Sequence, residues 1–212
     1  MSIKIGLIDY GMGNLHSVQT AFNRINVSLE IIRSPNEIET CNALILPGVG
    51  AFDPAVEQLE KANLFKPLQE WGKLNKPLLG ICLGLQLLFE SSSEGQLRGL
   101  GIFKGKVIKL SPSQGERVPH MGWSKIVSQN DYCPLLNKSE ANNWLYFVHS
   151  FSAIPKNSCE LAASTQFGDF ELTAMIWKGN IGACQFHPEK SGKTGEIMLI
   201  RWINWLNKIT KS

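Results

Sequence analysis

The sequence predicts an α/β protein: a mostly parallel, doubly wound sheet flanked by helices, with a mixed or antiparallel strand extension in the second half. Two observations support this prediction. Between residues 3 and 95, short apolar runs alternate with stretches whose apolar residues recur at helical spacing, which is typical of parallel α/β sheets. Beyond residue 100, short strand-like runs follow one another between turns, which indicates antiparallel or mixed pairing.

Apolar periodicity predicts the elements of the first half. Ile3–Ile8 is a compact apolar strand, and the helix that follows carries Leu15, Val18, Phe22 and Ile25. The other predicted elements are strands at Leu29–Arg33, Ala43–Leu46 and Pro77–Ile81, a helix that Asp53 caps and that carries Val56, Leu59 and Leu64, and a helix that carries Leu85, Leu87, Leu88 and Phe89.

Five short strands and one final helix are predicted for the second half. The helix carries Leu199, Trp202, Ile203, Leu206 and Ile209 on one face. No repeat, low-complexity tract or long linker interrupts the chain, so we expect one domain over residues 1–212. The predicted strands are Gly105–Leu110, Leu145–His149, Glu160–Ser164, Thr173–Trp177 and Ile181–Gln185.

Composition narrows the function classes. Of the 212 residues, 43% are apolar, which is enough for a sizeable core, and the net charge is only +3. Lysines and arginines are scattered along the chain, so we expect no nucleic-acid partner. The longest nearly unbroken apolar run, Leu78–Phe89, is too short to span a bilayer, so we expect a soluble protein without a membrane segment.

Cysteine usage indicates the compartment. The cysteines are odd in number and widely spaced, which does not fit a disulfide framework. The pattern favours a reducing, cytoplasmic location, in which a thiolate persists. The five positions are Cys41, Cys82, Cys133, Cys159 and Cys184.

Cys82 is the candidate nucleophile. It follows a short apolar strand and precedes a predicted helix, with Gly80 and Gly84 on either side. Small residues at these two positions allow a sharp strand-to-helix turn that pushes one side chain outward. The positive end of the helix dipole favours the thiolate form of a thiol at such a start. The alternative is an unreactive cysteine that fills space in the core.

His187 and Glu189 form the second candidate cluster. A thiolate nucleophile needs a partner that transfers protons, and histidine titrates near neutrality. Glu189 can orient the imidazole if the chain is locally extended, since residues i and i+2 then share a side. The alternatives are a surface pair of little energetic consequence and a partial zinc set with Cys184 that lacks an evident fourth ligand. The other histidines, interpreted as structural residues or binding contacts, are His16, His120 and His149.

Acyl transfer also needs hydrogen-bond donors aimed at a developing oxyanion. One candidate is the backbone of Gly48, Val49 and Gly50, in a glycine-rich run after a predicted strand. The other is the N–H group of Leu83, directly after the cysteine. The alternative for the glycine-rich run is an ordinary strand-to-helix turn.

Two partial nucleotide-binding motifs are incomplete. In Gly11-Met-Gly13, the third glycine position of a dinucleotide fingerprint is held by His16. Ser191-Gly-Lys-Thr194 is similar to the end of a phosphate-binding loop, but the first glycine position holds His187. We therefore expect no nucleotide cofactor and no metal ion.

Taken together, the motifs resemble those of the class I, triad-type glutamine amidotransferases. The runs Gly80–Gln86 and Gln185–Glu189 match this superfamily. Leu85 and Phe151 depart from the pattern, since methionine and tyrosine are frequent there. Further runs are similar to those of the glutaminase subunits of imidazole glycerol phosphate synthase: Asp9–Asn14, Leu46–Phe52, Pro119–Trp123, Tyr146–Ser150 and His187–Ser191.

The resemblance implies a mechanism for hydrolysis of L-glutamine. Cys82 attacks the side-chain amide carbon, His187 takes a proton and later returns it to departing ammonia, and Glu189 orients the imidazole. Water then releases glutamate from the thioester. The other implied site residues are Leu83, Gly48, Val49 and Gly50 at the oxyanion, and Gln86 and Ser150 at the substrate glutamine.

The resemblance also implies a partner. This partner is a cyclase subunit with a (β/α)8 barrel, which forms a heterodimer with the chain and uses the ammonia to make imidazole glycerol phosphate in histidine biosynthesis. Asn14, Tyr146 and Lys190 would lie at the docking face. The alternatives are a binding module without catalysis, a stand-alone γ-glutamyl hydrolase, and a glutaminase that supplies a different synthase.

Overall fold

The computed structural model describes residues 3–111, 116–137 and 143–210. Its helices are α1 (Leu15–Arg24), α2 (Pro35–Glu39), α3 (Phe52–Lys61), α4 (Phe65–Lys73), α5 (Leu83–Leu87) and α6 (Gly192–Ile209). Its strands are β1 (Ile5–Ile8), β2 (Glu30–Ile32), β3 (Ala43–Gly48), β4 (Leu78–Cys82), β5 (Ser91–Ser92), β6 (Gly105–Lys109), β7 (His120–Ser128), β8 (Trp144–His149), β9 (Phe151–Pro155), β10 (Leu161–Phe167), β11 (Phe170–Lys178) and β12 (Ile181–Cys184).

Nine of these strands form one mixed sheet, in the order β2-β1-β3-β4-β12-β11-β10-β7-β8. The pairs from β2 to β12 are parallel, and the pairs from β12 to β8 are antiparallel. Strands β5, β6 and β9 form a separate small sheet. The predicted fold class, a mostly parallel α/β sheet with an antiparallel extension, is confirmed.

Helices cover both faces of the parallel part because its strands alternate buried apolar residues between two cores. Leu44 and Leu46 of β3 face the core that contains helices α3, α4 and α5. Ala43 and Ile45 face the other core, which contains α1 and α6. Doubly covered parallel strands of this kind are apolar throughout, as the predicted runs are.

The strand register gathers the ends of three strands at one edge of the sheet. Gly48, at the end of β3, pairs with Cys82, at the end of β4. Cys184, at the end of β12, pairs with Ile81. Residues that follow β12 therefore begin next to Cys82, although about 100 positions separate them in sequence. In parallel sheets this carboxyl edge is where side chains converge on ligands.

Some predicted elements are wrong in detail. Asp53 does not cap α3, since that helix begins at Phe52 after Ala51. The Asp53 carboxylate instead accepts hydrogen bonds from the backbone N–H groups of Gln96 and Leu97, at 2.8 and 3.1 Å, and so holds a distant loop. Leu64 does not extend α3 but directly precedes α4, which the sequence analysis did not separate. The other elements not predicted are α2, β5, β7 and β9.

Candidate active site

Cys82 lies on a sharp turn between β4 and α5. Its backbone has φ 56° and ψ −111°, a left-handed conformation that a non-glycine residue rarely adopts. A Cβ atom on Gly84 would lie 1.8 Å from the carbonyl oxygen of Leu46, and one on Gly80 would lie 2.9 Å from Cβ of Ala183. Any larger residue at these two positions would collide with a neighbouring strand. Gly84 lets the turn lie close to β3, and Gly80 lets it lie close to β12.

The Cys82 side chain opens into a cleft of roughly 340 Å³ at the carboxyl edge of the sheet. Only 7% of the residue is exposed. Among the predicted site residues, the cleft is lined by Val49, Gly50, Cys82, Leu83, Gln86, Ser150 and His187. A larger and more apolar cavity, of roughly 550 Å³, lies between the small sheet and the β10–β11 hairpin and contains none of these residues.

His187 and Glu189 form a buried pair directly after β12. The distance from His187 Nδ1 to Glu189 Oε1 is 2.7 Å, and their side chains are 3% and 2% exposed. His187 is extended, whereas Glu189 lies in the 3₁₀ turn Pro188–Lys190, so the expected local extension holds for the first residue alone. Burial and a short contact favour a fixed imidazole over a solvated surface pair.

Strand β8 holds the His187 segment in place. The His187 N–H group donates to the Tyr146 carbonyl oxygen at 2.9 Å. The Ser191 hydroxyl donates to the His187 carbonyl oxygen at 2.6 Å and accepts from the Tyr146 N–H group at 2.9 Å. These three bonds satisfy main-chain groups around the imidazole and fix its orientation relative to the sheet.

The pKa of His187 is set by competing effects. Burial lowers it, but the side chains of Cys82 and Glu189 outweigh burial and raise it from 6.5 to about 10. His187 Nε2 is buried and its contact with the sulfur does not reach the geometry of a full hydrogen bond. The raised pKa favours a protonated imidazole beside the Cys82 side chain.

The candidate oxyanion donors differ in their present orientation. The N–H group of Leu83 lies at the start of α5, where helix N–H groups lack intrahelical partners. The N–H group of Val49 instead donates to the Met12 carbonyl oxygen at 3.1 Å. Gly50 has φ 102°, which requires glycine, whereas Gly48 is buried behind the cleft and does not line it.

Gln86 and Gln185 form an amide pair beside the sulfur. Gln86 Nε2 lies 3.1 Å from Gln185 Oε1, and Gln185 Nε2 lies 3.8 Å from Cys82 Sγ. The sequence motifs assigned Gln185 no individual role in the site. Because it lies two residues before His187 at the end of a strand, alternation of side chains could have placed it on the same side.

The predicted docking residues differ in their exposure and contacts. Lys190 and Asn14 are exposed, and Asn14 also accepts a hydrogen bond from the Ser17 N–H group at 3.2 Å as the N-cap of α1. Tyr146 is half-buried on β8 and pairs with Trp123 on β7, with ring centroids 6.1 Å apart.

The same face of β7 and β8 carries further exposed apolar residues that the sequence analysis did not assign. Met121 is 62% exposed, Trp123 51% and Trp144 49%. Their alternation along the paired strands places them on one side with Tyr146. We call Met121, Trp123, Trp144 and Tyr146 the apolar patch of β7 and β8.

Cys184 takes no part in a zinc set with His187 and Glu189. Its thiol is buried and donates to the Gly80 carbonyl oxygen at 3.7 Å. Within residues 3–111, 116–137 and 143–210, no three His, Cys, Asp or Glu residues are arranged to hold a metal ion. In the same part of the chain, no helix has the length and apolar character to cross a membrane.

His120 and His149 form a second buried pair at the edge of the cleft. Their ring nitrogens lie 2.9 Å apart, and burial lowers the pKa of each from 6.5 to about 4. Both are therefore neutral in the folded protein, while an unfolded histidine binds a proton near pH 6.5. Their contribution to stability is complete above pH 6.5 and is lost as the pH falls towards 4. The contribution of His187 to stability has the opposite pH dependence. Because its pKa is raised, His187 stabilises the folded protein fully below pH 6.5, and this stabilisation is lost as the pH rises through about 10.

The lowered pKa values of His120 and His149 predict that acid reduces the stability of the fold. His120→Asn keeps an N–H donor for His149 and removes one buried titrating group. We expect the free energy of unfolding, measured in urea at pH 7 and pH 5, to fall less in the variant than in the parent protein, by up to about 2 kcal/mol. Carboxylates titrate alike in both proteins and cancel in the comparison. An equal fall in both would contradict a neutral, buried His120.

Comparison with known families gives the class to which this fold and site belong. The family model described as "Glutamine amidotransferase class-I" matches residues 6–204. The chain therefore belongs to the class-I glutamine amidotransferases. It also resembles two solved structures at low identity, which supports the fold: PurLQS from Thermotoga maritima (TM-score 0.75, 17% identity, 97% of this chain and 100% of that one) and a putative GMP synthase protein from Thermoplasma acidophilum (0.71, 19%, 100% and 99%).

Curated relatives specify the branch of the family. The "Imidazole glycerol phosphate synthase subunit HisH 2" of Prochlorococcus marinus (strain MIT 9313) is 58% identical over 97% of this chain and 96% of its own length. The "Imidazole glycerol phosphate synthase subunit HisH" of Prochlorococcus marinus (strain MIT 9211) is 57% identical over 98% of this chain and 97% of its own length. Within the family, the chain belongs with the HisH subunits, and the resemblance inferred from the motifs is confirmed.

Proposed function

We propose that this chain is the glutaminase subunit of an imidazole glycerol phosphate synthase, which hydrolyses L-glutamine at Cys82 and supplies ammonia for histidine biosynthesis. The observation that carries this proposal is the single cleft that holds Cys82 and His187, with Glu189 fixed 2.7 Å behind the imidazole. The 50–58% identity to HisH subunits supports the same assignment. Acyl transfer by these side chains calls for no cofactor and no metal ion.

The proposed reaction has two halves. His187 takes the thiol proton of Cys82, the sulfur attacks the side-chain amide carbon of glutamine, and the electrons of the C=O bond move onto the oxygen. When the tetrahedral intermediate collapses, the C–N bond breaks and His187 gives its proton to the nitrogen, so ammonia leaves and a thioester remains. Water then attacks the thioester with His187 as base, which releases glutamate and restores the thiol. Glu189 holds the imidazole in orientation throughout.

Substrate and oxyanion contacts are proposed from the lining of the cleft. Gln86 and Ser150 would contact the substrate glutamine. The N–H groups of Leu83 and of the Gly48–Gly50 loop would stabilise the oxyanion, each donor contributing about 3 kcal/mol. The Val49 N–H group is engaged by Met12 at 3.1 Å, so the loop must turn this peptide before it can serve.

A cyclase subunit with a (β/α)8 barrel is the proposed partner in a heterodimer. It would cover the apolar patch of β7 and β8, which fits an interaction surface of this kind, with Asn14, Tyr146 and Lys190 among the contacts, and take up ammonia without release into water. The cyclase would use that ammonia to form imidazole glycerol phosphate and the aminoimidazole carboxamide nucleotide. The free cysteines at 41, 82, 133, 159 and 184 fit a reducing compartment, and we propose a cytoplasmic location.

The isolated chain is expected to be a poor glutaminase that the partner activates. Docking would favour the loop conformation in which the Val49 peptide turns from Met12 towards the cleft. One additional oxyanion donor corresponds to a rate increase of about 10²- to 10³-fold. Glutamate release is measured for the chain alone and with the cyclase that co-purifies from the native cell. Full turnover by the chain alone would contradict partner activation, and no turnover with the cyclase would contradict the proposed function.

A further inference from the structure

A row of hydrogen bonds runs from β7 to the main-chain carbonyl of Phe151. The Ser124 hydroxyl lies 2.8 Å from His120 Nε2, and His120 Nδ1 lies 2.9 Å from His149 Nε2. His149 Nδ1 lies 2.8 Å from the Phe151 oxygen. We call Ser124, His120 and His149 the imidazole row. The proposed mechanism uses none of these side chains.

A second row runs from the same carbonyl to the nucleophile. Gln86 Nε2 lies 3.3 Å from the Phe151 oxygen and 3.1 Å from Gln185 Oε1. Gln185 Nε2 lies 3.8 Å from Cys82 Sγ. We call Gln86 and Gln185 the amide row. The two rows meet at one oxygen atom, so a displacement of that atom affects both.

The Phe151 oxygen sets the direction of the imidazole row. A carbonyl oxygen only accepts hydrogen bonds, so His149 Nδ1 must carry a hydrogen. A neutral imidazole has one N–H group, so His149 Nε2 accepts from His120 Nδ1–H. By the same reasoning, His120 Nε2 accepts from the Ser124 hydroxyl. Burial, which lowers the pKa of both histidines to about 4, keeps them in this neutral form.

The same oxygen sets the direction of the amide row. Gln86 must present its NH₂ group to Phe151, and that group also meets Gln185. Gln185 therefore presents its carbonyl oxygen to Gln86 and turns its own NH₂ group to the Cys82 sulfur. An N–H group aimed at the sulfur favours the charged form of the nucleophile, since a donor stabilises an anion.

The Phe151 carbonyl lies where the chain crosses between sheets. His149 ends β8 in the nine-stranded sheet, and Phe151 begins β9 in the small sheet. Ser150, between them, lines the cleft. The His149 side chain therefore donates a hydrogen bond to Phe151 at the point where the chain leaves the nine-stranded sheet. Both histidines are nearly buried, at 4% and 6% exposure, so water does not replace a lost donor easily.

We propose that His120 and His149 are positioning residues of the cleft: they hold the Phe151 carbonyl so that Gln86 and Gln185 present an N–H group to the Cys82 sulfur. This inference rests on the proposed glutaminase function for its effect on glutamine, but not for its effect on the sulfur. His120 acts through His149, and neither touches the reacting atoms.

The competing explanation for the buried His120 ring is that it serves only in aromatic packing. The His120 ring lies 4.9 Å from the Phe147 ring and 4.6 Å from the Phe167 ring, measured between centroids. Two variants separate the explanations. His120→Phe keeps a ring for packing and removes the N–H donor, whereas His120→Asn keeps an N–H donor close to the position of Nδ1 and removes the ring. Ser128→Ala, at the far end of β7, is the control for a polar change on the same strand.

The first readout is steady-state glutamine hydrolysis by the full chain with its cyclase. We expect His120→Phe to raise the KM for glutamine about tenfold, as the loss of one buried hydrogen bond implies, with a smaller fall in kcat. His120→Asn is expected to stay within about threefold of the parent protein, and Ser128→Ala to match it. Unchanged kinetics in His120→Phe, or equal loss in His120→Asn and His120→Phe, would overturn the inference.

The second readout does not depend on glutamine. In a Cys159→Ser background, which removes the exposed thiol, the alkylation rate of Cys82 by iodoacetamide is followed by mass spectrometry. We expect His120→Phe to slow this rate about threefold or more, and His120→Asn to leave it near the parent value. If the parent protein does not hydrolyse glutamine, the proposed function fails, while equal alkylation rates in all variants would overturn this inference alone.

Discussion

Replacing Cys82 with alanine is expected to abolish glutamine-dependent activity and to leave ammonia-dependent activity of the complex intact. Without the sulfur no thioester forms, and we expect glutamine hydrolysis to fall by about four orders of magnitude or more. Ammonium chloride at alkaline pH would supply the proposed cyclase directly and bypass the glutaminase reaction. The measurement is the rate of imidazole glycerol phosphate formation with each nitrogen source, by the complex that contains the variant.

The matched control for this experiment is Cys159→Ala. Cys159 is exposed in the turn before β10, away from the cleft, so both activities should match those of the parent complex. Cys184→Ala is a less suitable control because that thiol is buried beside β4. Glutamine-dependent synthesis by the Cys82→Ala complex would show that another group is the nucleophile. Loss of the ammonia-dependent rate as well would indicate that the substitution disrupts assembly.

Replacing Gly84 with alanine is expected to cause the largest loss of stability of any single methyl addition near the site. The new Cβ atom would lie 1.8 Å from the Leu46 carbonyl oxygen and 2.9 Å from its carbon, so the backbone of β3 or α5 must move. We expect a cost of about 3 kcal/mol or more and a fall in thermal midpoint of about 10 °C. Glutaminase activity should be lost, since the same shift displaces Cys82 and Leu83.

Gly101→Ala tests whether steric contact causes this loss. Gly101 has φ 65°, and a Cβ atom there would have Glu90 Cγ as its nearest neighbour, at 3.9 Å. The variant should cost about 1 kcal/mol from backbone strain alone and keep its activity. Thermal unfolding of both variants, followed by circular dichroism, gives the comparison. A midpoint for Gly84→Ala equal to that of Gly101→Ala would contradict the tight packing of the turn against Leu46.

The fold class was predictable because the elements of a parallel α/β sheet have local sequence patterns. Strands buried on both faces, such as β3 and β4, are continuous apolar runs bounded by glycine or proline. Helix α6 shows one apolar face at helical spacing along its length. Strand β7 was not predicted because it contains no continuous apolar run. Exposed and buried residues alternate around Gly122, and the strand pairs with the distant segments β8 and β10.

The candidate site was predictable to the extent that its chemistry depends on residue type and local spacing. Cys82 between two glycines, and the run that contains His187 and Glu189, carry such signals. Gln185, Met121 and Trp123 carried weaker ones, since an amide or an apolar side chain acquires a role only from what it contacts. Asp53 was misassigned because its actual partners, the N–H groups of Gln96 and Leu97, are more than 40 positions away.

The amino-acid sequence alone determined the alternation of strands and helices, the sharp turn at Cys82 and the pairing of histidine with glutamate two residues later, because each depends on neighbours in the chain. The tertiary structure decided that β12 inserts beside β4, which brings His187 to the sulfur and raises its pKa to about 10. It also decided that the Val49 N–H group binds Met12, and that the buried His149 imidazole, paired with His120, contacts the Phe151 carbonyl. These features depend on burial and on contacts between distant segments, which exist only after the sheet has assembled.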